Sequence, residues 1–227
     1  EFVTLAEQRL QKDRKPLKPA KLPEHIASVA DIAPILRGAL AIERNAMAGT
    51  AKRQILCFRA NPAILNYVNG AELSRYSRIG VVTPDHTIRT KNYPLVVPAP
   101  DAHKLDDWKK AVEAAVAKYV ADYHAYFARH NANRNPKKKE LDPLPRVILV
   151  PGVGLFGCGA SAKDAAIAAD IAENTGECST NVEGISSYQP ISEADMFEVE
   201  YWSLEQAKLG KGAEKVLARQ VCVVTGG

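Results

Sequence analysis

Four side chains with chemistry of their own fall within seven residues: Asp85, His86, Arg89 and Lys91, in the run Thr83-Pro84-Asp85-His86-Thr87-Ile88-Arg89-Thr90-Lys91. A carboxylate beside an imidazole can transfer protons or ligate a metal, and a nearby guanidinium and ammonium can grip a phosphate or carboxylate. Asp85 and His86 are therefore the candidate catalytic residues, and Arg89 and Lys91 the candidate ligand-binding ones. The alternative is a capped turn in which Asp85 bonds neighbouring backbone amides. The stretch follows the apolar run Ile79 to Val82 and would leave that strand at its carboxyl end, where open α/β sheets bind ligands. In an extended loop Asp85, Thr87 and Arg89 would point one way and His86 and Ile88 the other. A metal centre needs three or four ligands. His25, His103, His124 and His130 are scattered along the chain, so no metal site is expected.

A second place for chemistry is the turn Gly152-x-Gly154-x-x-Gly157 after the apolar run Val147 to Val150. Glycines between a strand and a helix can expose backbone amides to a pyrophosphate, so Gly152 and Gly154 join the candidate ligand-binding residues. Cys158, Gly159 and Ala160 still precede the helix cap, and no acidic residue ends a second strand about twenty residues on, as a dinucleotide fingerprint requires. A dinucleotide-binding module through Gly152, Gly154 and Gly157 is thus the weaker reading, beside a tight structural turn. If both strands run parallel, Arg89 or Lys91 and the glycine amides face one shallow pocket suited to a phosphate or carboxylate.

The elements that must position these groups follow from periodicity. Val147 to Val150 is a mostly β-branched, uninterrupted run fit for a strand covered on both faces, Gln54 to Arg59 is a short buried strand, and Leu95 to Val97 could form a further one. Ser161 caps an alanine-rich helix that Gly176 would close. Asp31 caps a helix to about Ala48, with Met47 on its apolar side; Asn61-Pro62 starts one that ends at Asn69-Gly70; Glu72 to Tyr76 is a short one. Asp106 to about His130 is the longest helix, with Trp108, Val112, Val116, Tyr119, Tyr123 and Phe127 along one ridge. Ser192 caps a helix over Glu193 to Lys208, ended by Gly210 to Gly212. Strands alternating with helices predict an α/β three-layer sandwich with a largely parallel central sheet.

Composition sets the class. The chain has 227 residues, 46% hydrophobic and 25% charged, with a formal net charge of +4, and much of that charge sits in Lys137 to Lys139. This is an ordinary globular balance that excludes nucleic acid and membrane as expected partners. Four unpaired, widely spaced cysteines fit a reducing compartment, and with no signal peptide or membrane-length apolar run the expected location is the cytoplasm. The opening helix (Phe2, Leu5, Ala6, Leu10), the Pro- and Lys-rich stretch Lys15 to Pro23 and the closing Val221 to Val224 with Gly226 and Gly227 read as parts of neighbouring units. The expected division is 1–14 the end of a preceding helix, 15–24 linker, 25–209 the α/β domain, and 210–227 linker plus a first strand.

Four short motifs carry a resemblance: TPDHTIRTKNYPLVV at Thr83 to Val97, VPGVGLFGCG at Val150 to Gly159, EVEYWSLEQAKL at Glu198 to Leu209, and the VTGG ending. In this order the chain resembles the middle of bifunctional class II aldolase/short-chain dehydrogenase proteins, of the rhamnulose-1-phosphate aldolase/lactaldehyde dehydrogenase type. The resemblance implies a degenerate class II aldolase-like or Rossmann-like domain. Glu1 to Leu10 would then be the helix after the aldolase's last metal-binding turn, and Gly226 and Gly227 the start of a cofactor-binding fingerprint. Val153 or its neighbours stand where the metal-binding histidine would be, so the resemblance implies zinc and NAD(P) only in the flanking domains and no cofactor here. The implied function is a non-catalytic or catalytically incomplete linking domain in carbohydrate metabolism, rhamnose catabolism included, whose parent is a lyase and oxidoreductase. The alternative is a sugar-phosphate or carboxylate-binding enzyme domain using Asp85 and His86 with Arg89 and Lys91. Expected partners are the flanking domains, with a phosphate or carboxylate ligand and a second copy of the chain left open.

Overall fold

A computed structural model of the chain describes residues 2–12, 14–41, 44–45, 50–189, 191–209 and 218–226. Its centre is a four-stranded sheet. The strands are β3 (Ile55–Arg59), β4 (Leu95–Val96), β5 (Val147–Val150) and β6 (Gly154–Gly159), in the spatial order β3-β6-β5-β4. Two short strands, β1 (Arg44–Asn45) and β2 (Thr50–Ala51), pair separately.

Val147 to Val150 are all buried, as their unbroken apolar character requires. Val147 and Leu149 face a core built with α3 (Pro62–Val68) and α7 (Ala162–Glu183). Ile148 and Val150 face the opposite core, built with α2 (Val29–Ala39) and α6 (Leu105–Asn131). Helices on both faces of one sheet make the expected three-layer α/β sandwich.

The strand directions correct the expectation of a largely parallel sheet. β3 with β6 and β6 with β5 are antiparallel, and only β4 with β5 is parallel. The cause is the turn at Pro151-Gly152-Val153, where Gly152 (φ +82) and Gly154 (φ +144) adopt backbone conformations closed to most residues. The chain reverses there into a hairpin, with Val150 opposite Gly154, instead of running on into a helix. Gln54 to Arg59 and Val147 to Val150 therefore share a sheet but are not neighbours, because β6 lies between them.

Ile79 to Val82 is not a strand. Gly80 takes φ +85 and sits against the Met196 side chain, so this apolar run turns onto α8 (Glu193–Glu200). Several helices follow their caps. Ser161 Oγ accepts from the Asp164 N–H at 3.1 Å, Ser192 Oγ from that of Asp195 at 3.1 Å, and Asn61 Oδ1 from that of Ile64 at 2.8 Å. At α2 the cap is Ser28 with Asp31 in the reciprocal position, so Asp31 lies inside the helix. The helix ends at Ala39, well short of the expected Ala48, and Arg44–Asn45 is a strand; Met47 and Ala48 lie outside the described residues.

Gly176 does not stop α7. It packs in mid-helix, buried, against the Tyr67 ring, and contact with α3 outweighs its weak helix preference. The helix expected over Glu193 to Lys208 breaks at Tyr201-Trp202 into α8 and α9 (Ser203–Ala207). Among the described residues no helix is long and apolar enough to cross a membrane.

Candidate functional site

Thr83 to Lys91 is not an extended loop. Thr83 is the N-cap, Pro84 to Thr90 forms helix α5, and Lys91 ends it. Pro84 at the first helical position favours this, since its missing N–H has no partner to lose there. On the helix Asp85 and Arg89 share a face one turn apart, but Asp85 turns to Lys208 and Lys91 is buried beside Glu200, so the four candidate groups do not form one site. Asp85 is exposed and pairs with Lys208, which holds its carboxyl below the usual range; Lys208 also binds Glu205. Burial pulls the His86 imidazole below its ordinary pKa, and its Nδ1 is enclosed with no hydrogen bond among the described residues. Arg89 is half-buried.

The glycine turn is not a phosphate cradle. The Gly152 N–H donates to Asn69 Oδ1 at 2.6 Å, and Gly154 and Gly157 lie in β6, fully buried and paired in the ladder. A Cβ at Gly157 would overlap the Ala165 carbonyl oxygen and stand 2.5 Å from the Ala169 nitrogen. One at Gly159 would stand 2.5 Å from the Ala165 nitrogen. Gly157 and Gly159, facing Asp164, Ala165 and Ala169, let α7 lie directly on the sheet. Val153 is buried in the hairpin. Gly226 is exposed, as are Val221, Val223 and Val224, with no strand there; Gly227 lies outside the described residues.

Lys91 alone of the predicted set stands at a site. It has φ 60 and ψ 177, a region that only glycine enters freely and that costs a side chain roughly 1–3 kcal/mol. Its side chain is 7% exposed. The Nζ lies 3.6 Å from the centroid of the Tyr123 ring and 3.6 Å from Glu200 Oε1, the second too long for a hydrogen bond. Burial lowers its pKa to about 8, opposed by Glu200. Glu200 is 1% exposed; its Oε1 accepts from the Tyr123 hydroxyl at 2.8 Å, while Oε2 is buried without a partner among the described residues. The Tyr123 and Tyr201 hydroxyls are 2.7 Å apart, and Asn92 Nδ2 donates to the Tyr126 hydroxyl at 3.3 Å.

Lys91 and Asn92 also line a cavity of about 610 Å³ between α6 and the segment Lys91 to Val96, which includes β4, the open edge of the sheet. Arg78, Lys118 and Arg129 line it too. Neither this cavity nor a 30 Å³ one behind it reaches Arg89 or the glycines.

Periodicity assigned the α6 tyrosines to core packing and so missed their hydroxyls. The available signal was Glu200, a carboxylate one turn from Phe197 on the apolar side of α8. For zinc the described residues do not fit. His25 meets His103 edge to face, His124 pairs with Glu140 and His130 with Glu193, and no three His, Cys, Asp or Glu side chains among the described residues converge as ligands.

The chain is 29% identical over 204 residues to the uncharacterized oxidoreductase YuxG of Bacillus subtilis (strain 168), a match covering 88% of this chain and 28% of that protein. The chain thus spans little more than a quarter of the length of that relative. No solved structure matches it. The family described as aldolase class II, second domain, matches residues 27–209, and the chain belongs to that family.

Proposed function

We propose that this domain links two enzymes in one polypeptide and sets their relative placement. An aldolase-like domain cleaves a sugar phosphate of the rhamnulose 1-phosphate kind, and a short-chain dehydrogenase-like domain oxidises or reduces the aldehyde or alcohol. Zinc and NAD(P) belong to those neighbours. The observation that carries this reading is that both outer segments are pinned to the body. The Lys15 N–H donates to Gly184 O at 2.7 Å and that of Ala20 to Asn69 O at 2.7 Å, while that of Ala71 donates to Lys18 O at 2.8 Å. At the other end the Arg219 N–H donates to Ala160 O at 3.1 Å, and Arg37 Nη2 to Arg219 O at 3.0 Å. Outside these pins α1 (Phe2–Lys12) has no buried residue, and Val223 is 86% exposed. Such apolar surfaces suit contact with further domains. The share of the Bacillus protein that the chain spans agrees with this arrangement.

The test uses the full polypeptide. Asp85→Asn and His86→Gln should leave aldol cleavage and NAD(P)-linked turnover within about twofold of the parent, since Asp85 faces Lys208 and His86 is enclosed in α5. A loss of aldol cleavage beyond a hundredfold in either variant, with unchanged folding by circular dichroism, would show that this domain takes part in the chemistry.

A further inference from the structure

We propose that the cavity between α6 and the segment Lys91 to Val96 is a binding site for a small oxyanion-bearing ligand, a phosphate or carboxylate on a compact carbon body. This goes beyond the linking role and does not depend on it.

Size comes first. About 610 Å³ lies in the range of small-molecule sites. Its walls combine apolar and polar parts as such sites do: Pro94, Leu95 and Ala115 on one hand, the Tyr93 and Tyr119 rings and the Asn92 amide on the other.

The wall carries a cationic excess centred on Arg78, with Lys91 backed by the buried Glu200. Four cationic side chains, Arg78, Lys91, Lys118 and Arg129, line the cavity against two carboxylates, Asp122 and Glu193. Each carboxylate already has a close partner, Lys118 at 3.0 Å for Asp122 and Arg129 at 2.9 Å for Glu193. Arg78 stands 3.9 Å from Asp122, outside hydrogen-bond distance, with its guanidinium 5.5 Å from the centroid of the Tyr93 ring. Its planar fork suits a bidentate oxyanion contact.

Lys91 is the second, independent sign. An ammonium has three N–H donors, and Nζ, on a side chain only 7% exposed, has Glu200 Oε1 at 3.6 Å and the Tyr123 ring centroid at 3.6 Å as its near partners, both beyond ordinary hydrogen-bond length. Glu200 and the Tyr123 ring hold it at the cavity wall by charge, with room for a shorter contact to an oxyanion in the cavity. The strained backbone at this one residue sets the side chain there, and strain of this kind collects at ligand sites. An oxyanion between Arg78 and Lys91 would complete the hydrogen bonding of both.

Titration calorimetry on the chain as it stands tests this with four probes: a hexose phosphate, a hexonate, inorganic phosphate and the uncharged hexose. At least one anion should bind ten or more times more tightly than the uncharged sugar, and the order among the three tells whether the source is a sugar phosphate, a sugar acid or free phosphate. Arg78→Ala, at an exposed position that leaves the core intact, should weaken the best anion about tenfold. Ala125→Phe, on the exposed side of α6, should block it by filling the mouth. Anions that bind no better than the uncharged hexose would overturn the proposal. So would anion binding that survives both variants unchanged.

Discussion

Lys91 carries an electrostatic tension that a titration can read. Burial disfavours its ammonium more than Glu200 favours it, which leaves the pKa at about 8, whereas the unfolded chain holds a lysine proton to roughly 10.4. Between these values the unfolded state binds more protons, so this group's contribution to stability is lowest below pH 8 and rises with pH above it. The other charged groups acting on Lys91, Arg146 and Asp142 ahead of β5 and Glu200 on α8, remain in a variant that removes only the amine. Lys91→Met should therefore be less stable at every pH, on the order of 3 kcal/mol, because it leaves a buried carboxylate alone. The gap to the parent should widen from pH 8 to 10. Denaturant unfolding at pH 7, 8, 9 and 10 measures both, and a gap that narrows over that range would contradict the depressed pKa. Adding Glu200→Gln to the variant should recover part of the loss.

At the scale of elements, the α7–β6 seam makes the sharpest demand on residue size. Gly157 and Gly159 face Ala165 and Ala169 with no room for a Cβ on the backbone, and overpacking a rigid contact costs about 1–3 kcal/mol or more. Gly157→Ala should lower stability by about 3 kcal/mol. Gly176→Ala, whose Cβ would meet only the edge of the Tyr67 ring at 3.0 Å, should cost less than half as much, since a ring can shift and alanine favours the helix. Thermal unfolding of the two variants side by side checks the order.

The same seam explains what the sequence could and could not reveal. Strand β5 was legible because four consecutive apolar residues need cover on both faces, and α6 because its ridge repeats at helical spacing. The direction of β6 was not, because glycines serve a hairpin, a phosphate loop or a close helix contact equally well until a partner is known. Helix α5 is legible in principle, since Thr83-Pro84-Asp85 is a helix start, but a cluster of charges after an apolar run fits a loop at a strand end equally well. Lys91 entered the candidate set by residue type alone. Its partners Glu200, Tyr123 and Arg78 come from three distant segments that only the fold brings together.

For the whole molecule the question is how a body with pinned outer segments holds its neighbours. Arg37 is the best handle. It reaches from α2 to two carbonyls, with Nε donating to Gln54 O at 3.1 Å and Nη2 to Arg219 O at 3.0 Å. The first bond secures the start of β3, and the second fixes the chain just before the exposed run at Val221 to Val224. Charge-assisted bonds of this kind contribute roughly 1.5–3 kcal/mol each at best, and half-exposed ones less. Arg37→Ala should thus cost the body about 1–2 kcal/mol while releasing the last described segment. Hydrogen exchange at the Arg219 amide, which donates to Ala160 O, should quicken at least tenfold, and thermolysin should cut between Gln220 and Val224 faster than in the parent. Amides of β5 and β6, at the centre of the sheet, should keep their order of protection. If the Arg219 amide stays as protected in the variant as in the parent, Arg37 is not what holds the segment; if it exchanges without protection in the parent itself, the pinning that supports the linking role fails at that end.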